Sequence, residues 1–430
     1  MSSHIRFATL ILAAAVSTAG AQQQRPPIRQ LGAVTSKSAE PFATVAGVRM
    51  LANGSVLVND VAGRRVLMFD PALSKFTVIA DSTSATANAY GGRVGSLIPY
   101  RGDSTIFVDP ASVSMLIIDP AGRVARVMAI PRAEDANAIG SPTGSATFDA
   151  EGRLIYRTGA RMTFTGRAGP PVAGGMPSIP DPPDSAFIVR VALSTRKVDT
   201  VGVIRTPKIK LDVARDDKGN VSISSQINPL PTVDDWAVMS TGTVAFVRGH
   251  DYHVDFVNGD GSKTTASKVP FDWQRMTDED KVAFIDSLKA ARERLGDNAP
   301  SPQFGGAAGG GAPQMRIVMG NGGPGGGPSG GPPGRQQLNF IPASDLPDYK
   351  PPFFAGSLRA DNSGNLWVRT IPTTGATGGP VYDVINGKGV LIDRVQIPEN
   401  ASILGFGANG EVLLLTRTGA TATLEKASVK

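Results

Sequence analysis

LANGSVLVNDVAGRRVLMFDP, residues 51–71, holds the unit from which the fold is read. A turn signal, Asn53-Gly54, is followed by the strand Ser55–Asn59, then Asp60, then a second strand, Arg65–Phe69, that ends in Asp70-Pro71. Short apolar runs bounded by Gly, Asn, Asp and Pro read as strands joined by tight turns. The unit recurs: Asp60 and Asp109, Asp70 and Asp119, and Pro71 and Pro120 are each 49 positions apart, so the module repeats without insertion. At longer range Gly144-Ser145, Asp149, Gly152, Leu154 and Arg157-Thr158 return as Gly356-Ser357, Asp361, Gly364, Leu366 and Arg369-Thr370, all shifted by 212. Self-similarity of this kind marks an array of supersecondary units that bury their faces against one another.

Turns that open such units occur at Gly54, Gly102, Gly152, Gly242, Gly364 and Gly410, each followed by an apolar strand such as Val244-Ala245-Phe246-Val247 or Val412-Leu413-Leu414-Leu415. The reading is therefore all-β: a six-bladed β-propeller, a single domain over 22–430, with blades near 45–81, 91–131, 144–206, 231–270, 355–398 and 401–429. A ring removes the sheet edges that an open array or a pair of sandwiches would leave. The last unit holds three strands, and the segment 28–35 is expected to supply its fourth and close the ring.

The stretches at 51–71 and 234–261, the second reading DDWAVMSTGTVAFVRGHDYHVDFVNGDG, resemble the six-bladed propellers of the NHL and TolB-like type, including exported bacterial members. The resemblance covers most of the chain after its leader and implies architecture. It does not imply one activity, because propellers of this type include lactonases, envelope scaffolds and binding modules.

His4 and Arg6 precede an apolar run, Phe7–Val16, and the small residues Ala19-Gly20-Ala21 follow, which reads as a signal peptide over 1–21 and a periplasmic or secreted mature chain. The run is too short for a membrane span of about 20 residues, and no transmembrane segment is expected after it. The chain has no cysteine, which excludes disulfides and thiolate metal sites. Its formal charge of +6, with scattered Lys and Arg and only 6% aromatic residues, lacks the basic stripe of a nucleic-acid binder. Fifty glycines and 33 prolines interrupt a 41% hydrophobic chain, as many short strands require.

Two insertions interrupt the ring. In 271–296, Thr277 and Asp280 form a helix-start signature, and Val282, Phe284, Ile285, Leu288, Ala291 and Leu295 recur at helical spacing, so one amphipathic helix is expected, packed on the propeller. The stretch 299–337 is dominated by Gly and Pro around the apolar island Met315–Met319 and reads as a disordered excursion; 169–183 in blade three is a shorter Pro/Gly insert.

The most informative constellation comes from aligning the ends of the strands that follow each repeat turn. Blades one and two carry Asn59-Asp60 and Asp109 there, whereas the other four carry Arg157, Arg248, Arg369 and Arg417. Such ends lie at one mouth of a propeller channel, and guanidiniums gathered there would bind carboxylate or phosphate through planar forks of donors. Arg49 and Arg359, on the expected innermost strands, would add to the set. The alternative is that each Arg pairs with a local acid. His250 and His253, in the polar run Arg248–Asp255, read as the polar side of a blade strand, and a divalent-ion site is the competing reading.

Two function classes follow. The first is a non-enzymatic binding or interaction scaffold in the cell envelope, with no cofactor, whose partner is an envelope protein or an anionic small molecule. The second is a metal-dependent hydrolase similar to gluconolactonase-type propellers. That resemblance implies a divalent metal such as calcium, held by Glu, Asn and Asp oxygens. Asn59, Asp60 and Asp109 would contribute, but no Glu falls on a blade start, and the neighbouring arginines would oppose a cation.

Overall fold

Gly54, Gly102, Gly152, Gly242, Gly364 and Gly410 all adopt positive φ, between 61° and 83°, so the six turns read from the sequence are six reversals of the chain. Gly242 shows why the position is closed to other residues: besides its φ of 83°, an added Cβ would lie 2.8 Å from the backbone nitrogen of Ala150 in the preceding blade. The computed structural model describes residues 25–91, 95–141, 146–159, 183–215, 221–295, 317–319, 339–372 and 378–429. The leader expected at 1–21, all but the last residue of the insert at 169–183 and most of 299–337 lie outside those residues.

Six antiparallel sheets surround a channel. Blade I comprises Val45–Met50, Val56–Asp60, Arg65–Phe69 and Phe76–Asp81. Blade II comprises Ser96–Pro99, Thr105–Asp109, Ser114–Ile118 and Val124–Ala129, and blade III Thr147–Phe148, Leu154–Arg157, Ser185–Val191 and Val198–Arg205. Blade IV follows with Asp235–Val238, Val244–Arg248, His253–Val257 and Lys263–Thr265. Blade V has Phe353–Ala360, Leu366–Thr370, Val381–Ile385 and Leu391–Gln396, and blade VI has Ala401–Phe406, Glu411–Thr418 and Thr421–Ser428. The first strand of each blade lines the channel.

Alternation along the second strands decides the packing. In blade III, Leu154 and Tyr156 join a core shared with Ile106 and Val108 of blade II, while Ile155 joins Trp236 and Val244 of blade IV. The same alternation makes six inter-blade cores, the last joining Leu413 and Leu415 of blade VI to Val56 and Val58 of blade I. The architecture is the six-bladed β-propeller that the repeats and the resemblance implied.

Closure differs in detail from the expectation. The segment 28–35 does not act as one strand. Ile28–Gln30 runs parallel to Arg394–Gln396 as a fifth, outer strand of blade V, and Val34–Lys37 pairs antiparallel with Glu425–Ala427 as the fourth strand of blade VI. The step between them is fixed by Leu31, whose N–H donates to the Gln396 carbonyl, and by Gly32, whose N–H donates to the Ser428 carbonyl. Phe42 and Ala422 exchange two backbone hydrogen bonds of 2.7 Å, and Phe42 is buried in the core between blades VI and I. Lys426, 4% exposed, donates to the carbonyls of Gly54 and Pro71 in blade I, and burial pushes its pKa down.

The helix forms over Asp278–Leu295. Thr277 and Asp280 cap it reciprocally: the Asp280 carboxylate accepts the Thr277 N–H at 2.9 Å and Thr277 Oγ1 accepts the Asp280 N–H at 3.2 Å. Ile285 packs with Leu230, Met276, Ile341, Leu346 and Ile371 on the propeller, whereas Val282 is half exposed. A small additional sheet joins Lys210–Arg215 and Val221–Ile227 to Ile317–Met319 and Asn339–Phe340. Ile317–Met319 belongs to the expected excursion at 299–337, and its pairing with Val221–Ile223 is a departure from that reading: an apolar tripeptide beside an open strand edge completes the ladder.

Because Val34–Lys37 is the strand that joins the two chain ends, a mature chain beginning at residue 39 should aggregate or lose cooperative unfolding, while one beginning at Gly32 should still melt in a single transition at a lower temperature. Calorimetric scans of both chains check this; a cooperative, soluble chain from residue 39 contradicts the closure.

Candidate functional site

The one-residue phase of each second strand, counted from its turn glycine, decides where the aligned arginines go. Arg157 and Arg369 are five residues beyond Gly152 and Gly364, Arg248 is six beyond Gly242, and Arg417 is seven beyond Gly410. A strand shifted by one residue presents the opposite face. Arg157 therefore shares the face of Ile155, toward blade IV, and Arg369 that of Trp367, toward blade VI. Arg248 shares the face of Phe246 and turns back toward blade III, with its guanidinium 5.2 Å from the Phe246 ring centre. Arg417, near the end of Glu411–Thr418 and paired with Ala422, is exposed.

By this phase Arg248 faces the opposite way from Arg157 and Arg369, so the four arginines do not share one facing. Arg248 is held by its own surroundings: Nε donates to Asp255 at 2.8 Å, and Nη1 donates to Asp234 and to the Val203 carbonyl, each at 2.9 Å. Those carboxylates raise its pKa against the opposing effect of burial. Arg49 is likewise engaged, pairing with Asp103 of blade II at 3.0 Å and donating to the Ser104 carbonyl and Thr105 Oγ1. Arg369 lies beside Tyr382, its register partner.

Arg157 and Arg359 are different. Neither makes an ion pair among the described residues. Arg359 donates through Nη1 to the carbonyls of Gly356 and Leu358 on its own strand, at 3.0 and 2.8 Å. Both guanidiniums lie within electrostatic reach of one buried carboxylate, Asp235, at the start of the innermost strand of blade IV. Asp235 is 5% exposed; Oδ1 accepts the N–H of Trp236 and Oδ2 that of Leu358, each at 2.9 Å. The second bond depends on an irregularity in Phe353–Ala360, where the register shifts between Phe353 and Leu358 and Gly356 has φ 78°. Burial pushes the Asp235 pKa up to about 6, outweighing the two backbone donors and the two guanidiniums that favour the anion. Burial also lowers the pKa of Arg157.

Arg359, though not Arg157 or Asp235, borders a funnel of about 640 Å³ bounded by the innermost strands of all six blades. Three acids on its wall are already engaged. Asp103 pairs with Arg49, Asp149 with Arg153 and Arg190, and Asp361 accepts N–H groups from Ser363, Asn365 and the Trp367 indole. Among the described residues, Arg359 is the guanidinium on the wall without a carboxylate at ion-pair distance. Trp236 borders the funnel but packs its side chain into the core between blades III and IV; it is 3% exposed, and its buried Nε1–H has no hydrogen-bond partner among the described residues, as is also true of buried Ser357 Oγ beside Leu358. Asp235, Trp236 and Ser357 were not singled out in the sequence. An acid just before a tryptophan at a blade start looks like an ordinary strand end, and the irregular strand opposite it has no sequence marker beyond Gly356.

The oxygen ligands required by the metal reading do not fit a metal. Asn59 donates to the Gly95 carbonyl at 2.8 Å and accepts from Tyr90 Oη at 2.7 Å, which sits in a site that pushes the phenol pKa up to about 12. Asp60 accepts from Gly63 N–H and Arg65 Nε, and Asp109 from Ala111 N–H and Ser112 Oγ. Among the described residues no three His, Asp or Glu side chains converge as a metal site would need. That holds for the histidine cluster too: His253 Nδ1 is 2.6 Å from Asp251 and Nε2 is 3.4 Å from Asp255. Tyr252, between the two histidines, is fully buried at a turn with φ 49° and donates to Asp383 at 3.0 Å.

No family model matches the sequence, and no curated protein does. Solved structures do. A gluconolactonase from Xanthomonas campestris is 12% identical over 94% of this chain and 97% of its own, with a TM-score of 0.35. A calcium-binding regucalcin from Agrobacterium tumefaciens is 12% identical over 94% and 98%, with a TM-score of 0.39. A virginiamycin B lyase from Staphylococcus aureus is 10% identical over 94% and 99%, with a TM-score of 0.37. At these values the likeness carries no chemistry across. No described helix is long and apolar enough to cross a membrane.

Because Arg248 is held by two acids, Arg248→Gln should lower the unfolding free energy by about 2 kcal/mol, the scale of hydrogen bonds to charged groups, and leave anion binding in the channel unchanged. Denaturant titration and calorimetry on the same variant separate the two effects.

Proposed function

We propose that this propeller is an exported binding module whose channel captures an anionic ligand, carboxylate or phosphate, at Arg157 and Arg359. The observation that carries the reading is that two guanidiniums from blades III and V, neither in an ion pair among the described residues, lie within electrostatic reach of the buried carboxylate Asp235, whose backbone partners Trp236 and Leu358 border, with Arg359, a funnel of about 640 Å³. Two positive groups against one negative leave a net positive throat. In a low-dielectric channel such a field is focused rather than dissipated. Funnels of a few hundred Å³ are the usual size for small-molecule sites. Export to the periplasm or medium rests on the leader at 1–21 and predicts a mature protein beginning near Gln22.

Arg157→Gln and Arg359→Gln should each weaken binding of sulfate or a simple carboxylate about 10-fold or more, the loss of a charge-assisted hydrogen bond, with unchanged unfolding midpoints. Titration calorimetry at low salt reads the loss; wild-type affinity in both variants removes the site.

The throat is also sensitive to pH. Asp235 faces Arg157, Arg359 and the N–H groups of Trp236 and Leu358, and its raised pKa of about 6 means that it is ionised above that value and neutral below it. Protonation takes away the one negative charge that opposes the guanidiniums. Affinity for sulfate, which does not titrate in this range, should rise as pH falls from 7.5 to 5, with its midpoint near 6. In Asp235→Asn the same profile should be flat. A wild-type profile without that rise contradicts the assignment of Asp235.

A further inference from the structure

We infer that the seam between blades IV and V holds a second binding site, specific for a guanidinium group, which the chain's own Arg25 fills in the structure and which an arginine on an extended segment of a partner protein takes in its place. None of the residues of this site borders the funnel. The site is made of fixed, buried groups. Asp383, on the third strand of blade V, is fully buried; Oδ2 accepts the Tyr252 hydroxyl from blade IV at 3.0 Å, and Oδ1 accepts the Arg394 Nε–H at 3.3 Å. A carboxylate has about four acceptor positions, so capacity remains for a second cation. Phe271, just after blade IV, is held edgewise between Tyr252 and Trp273, with ring centres 5.6 and 5.3 Å from its own. The guanidinium carbon of Arg25 lies over the Phe271 ring, 5.7 Å from its centre. Exposed Asp272 adds to the negative field there. An aromatic face beside a carboxylate suits a planar, weakly hydrated guanidinium better than a compact, strongly hydrated ammonium.

The occupant fits less well than the site is built. Among the described residues Arg25 makes no ion pair, and its Nε is buried without an acceptor. Burial and the like charge of Arg394 lower its pKa, against the pull of Asp383 and Asp272. Its position is set by a tether: Pro26 and Pro27 cannot donate to a ladder, and the first backbone pairing is the parallel strand Ile28–Gln30 on Arg394–Gln396. A guanidinium delivered without that tether is free to turn its N–H groups onto the open positions of Asp383. The strap also shows how a partner segment would lie. Arg29 pairs with Asp393, the Gln30 side chain donates to that of Gln396 at 2.7 Å, and the Leu31 N–H donates to the Gln396 carbonyl at 2.9 Å. The ligand is therefore an extended peptide added to the outer edge of blade V, with one arginine for Asp383 and Phe271 and a second, four residues on, for Asp393.

Chemical rescue of Arg25→Ala in the full mature chain tests the site. Amide exchange at Ile28–Gln30 and Leu31 reports whether the strap is docked. Exchange there should speed up about 10-fold or more in Arg25→Ala, the scale of a desolvated cation–π contact. Ethylguanidinium should restore it and ethylammonium at the same concentration should not. A fluorescent peptide of residues 25–31 should bind Arg25→Ala about 10-fold or more tightly than it binds the wild-type chain, where the tethered Arg25 competes at high effective concentration. The same peptide with Arg25→Lys should lose that affinity. Arg25→Gln serves the same purpose should Arg25→Ala fail to fold. Unchanged exchange in the variant, rescue by neither cation, or equal rescue by both overturns the guanidinium site. Free arginine binding as tightly as the peptide overturns the partner segment.

Discussion

Every blade of this protein buries both faces, so its stability depends on a ring that has no open seam. Five of the six inter-blade contacts join blades that are consecutive along the chain; the sixth must join its ends. That contact, Leu413 and Leu415 on Val56 and Val58, is secured by Val34–Lys37 pairing with the final strand, by the paired hydrogen bonds of Phe42 with Ala422 and by Lys426 reaching across to carbonyls of blade I. An unpaired strand edge at this position would leave a template for aggregation. The channel exists because the ring closes, and the charges within it are held at fixed distances for the same reason.

Within the ring, strand alternation assigns the charges their roles. Arg157 and Arg248 occupy nearly equivalent blade ends, yet a single residue of phase directs one toward Asp235 in the following blade and the other toward Asp234 and Asp255 beside the preceding one. The first has no ion pair among the described residues, while the second is a tie within the wall. Asp235 then moderates the throat. Its burial makes ionisation costly near neutral pH, so its charge follows pH in a range where ordinary aspartates do not change.

The fold was legible because the information is periodic. Glycines that need positive φ recur at six turns, and each is followed by a strand whose alternation tells which neighbour it packs on. The two ends of the chain were harder to place, because Ile28–Gln30 and Val34–Lys37 are separated only by Leu31, Gly32 and Ala33, and nothing in those residues announces a step from one blade to the next. The site was half legible. Arginine at the strand ends is visible in the sequence, but the facing of each depends on a one-residue phase that an alignment of strand ends blurs. Asp235 was invisible, because its role depends on Leu358 N–H being delivered by an irregular strand 123 residues away.

The most direct test of the central claim, that Arg157 and Arg359 form an anion site in the channel, is a crystal of the mature chain soaked in selenate and measured at the selenium edge. The account predicts an anomalous peak in the throat within hydrogen-bonding distance of the Arg359 guanidinium and facing Arg157, lost in Arg359→Gln crystals. Peaks confined to exposed lysines and arginines such as Arg417, with none in the throat at any soak concentration, would contradict it.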